Sequence, residues 1–225
     1  TDKTKGLQKE GYLMNITDKV TVEAETTTGA FWATRTILQS LKLTNNIPKG
    51  QTRDYPLYEV RGFILDVGRK TFTMDYLQQV VKAMSWYKMN DFQAHLSDNY
   101  IFLENYGKHN KENEAFKAYE AFRLESSLTN DKGESPTAKD YSISKREFKK
   151  FIQEERELGM KVVPEIDVPA HATSFTKVWP ELMVKNQVSS LNANRPLVDH
   201  FDLTNQKAMD KIEEIFDDYT KGANP

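Results

Sequence analysis

Residues 59–98, EVRGFILDVGRKTFTMDYLQQVVKAMSWYKMNDFQAHLSD, decide the fold. The run from Glu59 to Gly68 is a short apolar stretch that ends in a turn, the pattern of a buried strand. Residues 73–89 read as a helix with Thr73 as N-cap. NDFQAHLSD reads as a second strand. Downstream, residues 144–158 (SKREFKKFIQEEREL) form a strongly charged surface helix closed by Gly159. MKVVPEIDV (160–168) is a third strand. Residues 204–219 form a last helix capped by Thr204 or Asn205. Strands alternating with helices of this length predict βαβ units and a parallel sheet, an α/β fold.

Upstream, residues 12–25 (YLMNITDKVTVEAE) read as two short strands with turn chemistry at Asn15 to Lys19. Residues 29–43 read as an amphipathic helix through Phe31, Ile37, Leu38 and Leu41, with Thr26 to Thr28 offering cap oxygens. Residues 44–57 (TNNIPKGQTRDYPL) read as a linker. About 45 residues, 99–143, separate the second strand from the charged helix, too many for a plain connection. Within them KENEAFKAYEAFRLES reads as a helix and TNDKGESPTAKD as polar loop. Its place after a strand end gives this insertion a solvated or a site-shaping role.

The chain has 225 residues with 31 Lys plus Arg against 33 Asp plus Glu, a formal net charge of −2. That balance argues against nucleic acid, whose phosphates call for a basic excess. Twelve Phe, ten Tyr and three Trp supply core material and argue against intrinsic disorder. With no Cys there is no disulfide, thiol nucleophile or thiolate metal ligand. No apolar run reaches the ~20 residues a membrane helix needs. The polar opening, without Met, is no signal peptide and is expected to follow further residues of a longer precursor.

Chemistry concentrates at the three strands. The first begins at Arg61 and reaches Asp66, the second ends in His95-Leu-Ser-Asp98, and the third ends in Glu165-Ile-Asp167-Val-Pro-Ala-His171. In parallel α/β sheets the C-terminal strand ends face the ligand, so three such ends predict one shared pocket. Arg61 suits forked hydrogen bonds to hydroxyls or carboxylates, or pairs with a surface carboxylate. Asp66 binds ligand or caps a turn. His95 is a site residue or a satisfied core histidine. Asp98 is a site carboxylate or an Asx-turn. Asp167 and His171, four apart, fit a carboxylate that fixes an imidazole tautomer, or structural support alone. His109 and His200 read as solvated. No HExxH pattern, phosphate loop or GxSxG elbow occurs, so neither a metal nor an organic cofactor is expected. Tyr100, Phe102, Tyr106, Phe175 and Trp179 suit sugar faces or core.

At these residues the sequence resembles family 20 glycoside hydrolases, the β-N-acetylhexosaminidases and lacto-N-biosidases. The resemblance lies in three blocks: Arg61-Gly-Phe-Ile-Leu-Asp66-Val-Gly-Arg-Lys70, Met89-Asn-Asp-Phe-Gln-Ala-His95-Leu-Ser-Asp98, and Val162-Val-Pro-Glu165-Ile-Asp167-Val-Pro-Ala-His171. Residues 12–43 resemble the end of the small α/β domain that precedes the family's barrel. The resemblance implies that residues 1–57 are the C-terminal part of that domain plus a linker. Residues 58–225 would be the first three strands of a (β/α)8 TIM barrel, truncated before the fourth. Arg61 would grip sugar hydroxyls, with Asp66, His95 and Glu165 as further substrate-binding candidates. Asp98, Asp167 and His171 would support the catalytic acid.

The family cleaves by substrate assistance: the sugar's 2-acetamido oxygen attacks the anomeric carbon, an Asp orients that amide, and the adjacent Glu protonates the leaving oxygen. This sequence departs twice. Asn99-Tyr-Ile-Phe-Leu103 stands where many members have Gln-Gly-Trp-Arg. No Asp-Glu dipeptide occurs, so the pair is expected beyond Pro225 and these 225 residues alone are expected to be inactive. The implied partners are β-linked N-acetylhexosamine glycans. The implied location is secreted or on a bacterial cell surface, and an open barrel edge predicts self-association. The rival readings are a non-catalytic carbohydrate-binding remnant, an unrelated (β/α) hydrolase using Glu165 and Asp98 as its acid and base, and a structural α/β domain.

Overall fold

The computed structural model describes residues 6–98, 121–185 and 199–221. Its first elements are strands β1 (Tyr12–Ile16) and β2 (Val20–Ala24), helix α1 (Thr27–Thr44) and strand β3 (Gly50–Asp54). β1 pairs antiparallel with both neighbours in the order β2-β1-β3. Alternation along β1 turns Tyr12, Met14 and Ile16 to one side, where they pack with Trp32 and Ala33 of α1. Thr26 caps α1 by accepting from the Gly29 N–H, and Asn45 ends it in a left-handed conformation. β3 corrects the linker reading: GQTRD has no apolar residue to announce a strand, and β1 supplies its ladder.

Next come strand β4 (Gly62–Asp66), helix α2 (Met74–Trp86) and strands β5 (Asp91–His95), β6 (Ser97–Asp98) and β7 (Ala121–Phe122). Helix α3 (Lys145–Glu157), strand β8 (Lys161–Glu165), short helix α4 (Thr173–Thr176) and helix α5 (Gln206–Thr220) complete the described elements, with a 3-10 turn at Pro180–Leu182. Three strands form one sheet in the order β4-β5-β8. At their starts the Asn90 N–H donates to the Arg61 carbonyl and the Lys161 N–H to the Asn90 carbonyl. At their ends the Val67 N–H donates to His95 and the Leu96 N–H to Glu165. Starts meet starts and ends meet ends, so the strands run parallel.

The expected helix over KENEAFKAYEAFRLES lies largely outside the described residues, and its described end, Ala121–Phe122, is a strand instead. That strand pairs antiparallel with β6, setting Phe122 opposite Ser97 and Ala121 opposite Asp98. No helix of the described residues is long and apolar enough to cross a membrane.

The chain divides into two compact units. One takes the residues up to Phe63 with Asp75–Phe92 and Phe151–Val163; the other takes Ile64–Met74, Gln93–Lys150 and the residues from Pro164 on. The second unit has a core of Phe122, Phe175 and Phe201, with ring centroids 5.0 Å and 6.5 Å apart along that series. Phe175 and Trp179 are buried, which decides for core over sugar face at both. Tyr100, Phe102, Tyr106 and His109 lie outside the described residues.

Candidate active site

The second unit carries a connected set of ionisable side chains at the ends of the three parallel strands. β4 ends at Asp66, whose Oδ1 accepts the Arg69 N–H at 3.0 Å and whose Oδ2 pairs with Arg69 Nη1 at 2.8 Å. Asp66 therefore caps a turn and aims a guanidinium. Arg69 Nη2 in turn reaches Asp98 Oδ2 at 2.6 Å. Gly68 eases this crossing: a Cβ there would stand 3.0 Å from the Ser97 carbonyl carbon and 3.1 Å from the Asp98 nitrogen, close enough that the backbone would have to give way. The Gly68 carbonyl accepts from Arg123 Nε at 3.1 Å, and buried Arg123 also reaches Asp140 at 2.8 Å.

Asp98 is the hub. It is 3% exposed and meets three cationic or titratable partners. Arg69 and His95 Nε2, the latter at 2.6 Å, share Oδ2, while His171 Nδ1 takes Oδ1 at 2.6 Å. A buried carboxylate is stable only with such charge-assisted partners.

His171 sits in the left-handed region at φ +54°. That backbone costs about 1–3 kcal/mol in a non-glycine residue and persists only where the surroundings enforce it. The loop is enforced on both sides: the Ala172 N–H donates to the Asp199 carbonyl, and the Phe201 N–H to the Pro169 carbonyl. The imidazole is left 49% exposed. The Asp167 N–H donates to buried Ser97 Oγ at 3.1 Å, fixing the start of the same loop.

The remaining predicted residues separate. Glu165 ends β8, and its Oε2 accepts from Gln93 Nε2 at 2.5 Å and stands 3.1 Å from His95 Nδ1. Gln93 and His95 are two apart on β5, so both point to one face of the sheet. His95 is 8% exposed, and its carboxylate neighbours push its pKa up to about 9, the Asp98 bond contributing most. Buried this way, it supports other groups rather than facing a ligand, which corrects its reading as a substrate-binding residue.

Arg61 does not join the set. It lies in the other unit, where Nε donates to the Lys88 carbonyl at 2.8 Å, Nη1 to the Tyr58 carbonyl at 2.8 Å, and Nη2 pairs with Glu10. The reading of Arg61 as the sugar-gripping arginine is corrected by these partners. Arg69 is the arginine that the sequence reading passed over. The rule that ligands face strand C-terminal ends points to it, because Arg61 precedes its strand and Arg69 follows it.

The donor atoms of Asp66, His95 and Asp98 lie within 4.8 Å of one another, as do those of His95, Glu165 and Asp167 and of Asp98, Asp167 and His171. Arg69 and His95 already supply the cations to Asp98, so these groups form an ion-pair network rather than a metal cage. A cleft of about 400 Å³ in the first unit is lined by Glu10, Asn90, Asp91 and Lys161 among others. It contains none of the predicted site residues, and its Glu10 carboxylate is taken by Trp32, Asn90 and Arg61.

Comparison with known proteins bears on the chain as a whole. Residues 58–223 match the catalytic domain of glycosyl hydrolase family 20, and residues 1–55 match domain 2 of the same family. The N,N'-diacetylchitobiase of Vibrio harveyi is 29% identical over 224 residues, which cover 91% of this chain and 24% of that protein. The lacto-N-biosidase of Bifidobacterium bifidum is 24% identical over 215 residues, 95% of this chain and 16% of its own length. The chitobiase structure from Flavobacterium johnsoniae superposes with a TM-score of 0.70 at 24% identity, covering 94% of this chain and 30% of that one. The chain thus spans about a quarter, or less, of the length of these two curated relatives.

Proposed function

The chain belongs to glycosyl hydrolase family 20, and on that premise we propose that its protein hydrolyses terminal β-linked N-acetylhexosamine, or a disaccharide containing it, from glycans. In this reading residues 58–225 supply the first three strands of a (β/α)8 barrel and the preceding residues end a small α/β domain. The observation that carries the proposal is the Arg69–Asp98–His171 series, which joins a guanidinium, a buried carboxylate and an exposed imidazole at the ends of neighbouring parallel strands.

Each group has a task. Arg69, forked and permanently charged, holds sugar hydroxyls. Asp98 fixes the His171 ring through Nδ1, so that the other ring nitrogen is presented outward. Asp167 stands within reach of the same pair and completes the polar support. The sequence contains no Asp-Glu dipeptide, so we assign the amide-orienting Asp and the acid Glu to a part of the protein outside these 225 residues. Cleavage then proceeds by attack of the substrate's own acetamido oxygen with retention at the anomeric carbon. Glycan substrates of this kind support a secreted or cell-surface location.

β4 lies at an edge of its sheet, with Phe63 and Ile64 about half exposed, which supports self-association of the isolated 225 residues.

The test is hydrolysis of a chromogenic N-acetyl-β-glucosaminide by the 225-residue chain beside the full-length protein, with sedimentation of both. Turnover by the full-length protein alone, and association of the short chain, are expected. Equal turnover by both would move the acid to Glu165, Asp98 or Asp167. Sugar binding without turnover by either would leave a carbohydrate-binding role.

A further inference from the structure

Asp98 has two histidines, and only one of them is exposed. His95, at the end of β5, brings Nε2 to 2.6 Å from Asp98 Oδ2 and Nδ1 to 3.1 Å from Glu165 Oε2. The second contact is an ion pair rather than a well-aimed hydrogen bond, since Nδ1 has no hydrogen-bond partner among the described residues. Ionised carboxylate oxygens only accept. A neutral imidazole has a single N–H, so it would turn a ring lone pair toward one of these two oxygens. An imidazolium turns an N–H toward both. The charged groups around the ring favour the same state: Asp66 from β4, Asp98 from β6, Glu165 from β8 and Asp167 beyond it all bring a carboxylate oxygen close. The other cationic or titratable bases of the set, Arg69 and His171, meet Asp98. The pKa of about 9 agrees with a ring that keeps its proton at neutral pH.

We propose that His95 is a positioning residue: as a buried imidazolium it bridges Asp98 and Glu165, secures Asp98 by Oδ2 and reserves Oδ1 for His171. Three contacts define the geometry. His95 and Arg69 hold one oxygen of Asp98 and His171 holds the other, so the carboxylate cannot rotate. Gln93 pins the far end of the bridge by donating to the same Glu165 oxygen that His95 faces. Without His95 the Oδ2 atom loses one of its described partners while the Arg69 ion pair stays, and one positive charge leaves the neighbourhood of His171. The Asp98 carboxylate is then freer to turn, and the His171 ring bound to its Oδ1 is less firmly oriented.

The effect on turnover rests on the glycosidase reading above, whereas the ionisation of His95 does not, and the experiment separates them. The full-length protein is labelled at the histidine ring nitrogens and followed by NMR, with His95→Gln identifying the His95 signals. Should that variant not fold, Glu165→Gln identifies them by perturbation. The expected result is two protonated ring nitrogens at His95 at about pH 7.5. In His95→Gln the ring-nitrogen signals of His171 shift or broaden, because its ring is no longer held in one orientation. kcat falls roughly tenfold with KM little changed. A singly protonated His95 ring overturns the proposal. So does a His95→Gln enzyme whose loss of activity comes with unmoved His171 ring signals, or with kcat unchanged and KM raised, since that marks a packing role. A doubly protonated His95 in an inactive full-length protein upholds the bridge and overturns the glycosidase reading instead.

Discussion

Two arginines flank β4, Arg61 before it and Arg69 after it. Both side chains are about one-fifth to one-quarter exposed, and both pair with a carboxylate. Their other partners separate them. Arg61 spends its fork on the carbonyls of Lys88, Tyr58 and Glu59 and on Glu10, which also holds Trp32 and Asn90. Every one of those groups is part of the scaffold of its own unit. Arg69 binds two carboxylates, Asp66 and Asp98, and the second of these is shared with two imidazoles. Groups that change charge surround Arg69, and scaffold groups surround Arg61. An arginine's charge and depth therefore say little about its role, and the titratability of its partners says more.

The largest effect that would break this comparison is at Arg69. Arg69→Ala should lower kcat/KM of the full-length protein about 100- to 1,000-fold while its melting temperature changes by only a few degrees, as read by steady-state kinetics and calorimetry. Arg69→Lys should recover little, because a point charge cannot span both carboxylates. An Arg69→Ala enzyme with ordinary activity would put the two arginines in the same class.

Arg61→Ala should do the converse. It takes the cation from Glu10, which keeps Trp32 and Asn90, and a donor from the Lys88 and Tyr58 carbonyls, so we expect a loss of about 1–3 kcal/mol in denaturant unfolding, with near-normal kcat/KM in the folded fraction.

A smaller effect sharpens the same contrast between paired and unpaired charge. Glu155 on α3 is 2% exposed, and its Oε2 has no hydrogen-bond partner among the described residues. Burial, with some help from Glu154 and against Lys82, pushes its pKa up to about 7. Its folded pKa lies above its unfolded value near 4.5, so the folded state holds the proton more tightly. Stability should therefore fall as pH rises from about 4.5 to about 7, with the cost complete above that range. Glu155→Gln should remove that slope and stabilise the protein by about 1–3 kcal/mol at pH 8, as read by urea midpoints at several pH values. The sign is the same for His95, in a higher pH window. Its raised pKa gives stability that is present in full below pH 6.5 and is lost as pH rises through about 9.

Much of this was legible in sequence, for physical reasons that also explain the gaps. β4, β5 and β8 announce themselves because parallel strands are written as short apolar runs, even in β4 where Phe63 and Ile64 stand about half exposed, and their polar last residues stand out against that background. Asp66, Asp98, Glu165, Asp167 and His171 were visible on that ground, and the structure gathers them in one unit. β3 was not visible, because GQTRD is a strand through its ladder to β1 and not through its own side chains. Arg61 was misread because a sequence shows that a buried arginine needs partners but not who they are. His95 was misread as facing ligand because alternation fixes its face of the sheet, and only the neighbouring strands fix whether that face is covered. Phe175 and Trp179 stayed open between sugar face and core, because an aromatic ring near a strand end looks the same in both.

The account turns on which arginine meets the sugar. The most direct measurement is a crystal structure of the full-length protein with N-acetylglucosamine bound. We predict sugar hydroxyls within hydrogen-bond distance of the Arg69 guanidinium, with Asp98 still holding His171 through Oδ1. A sugar seated against Arg61 and Glu10, or one that leaves Arg69 untouched, would contradict it.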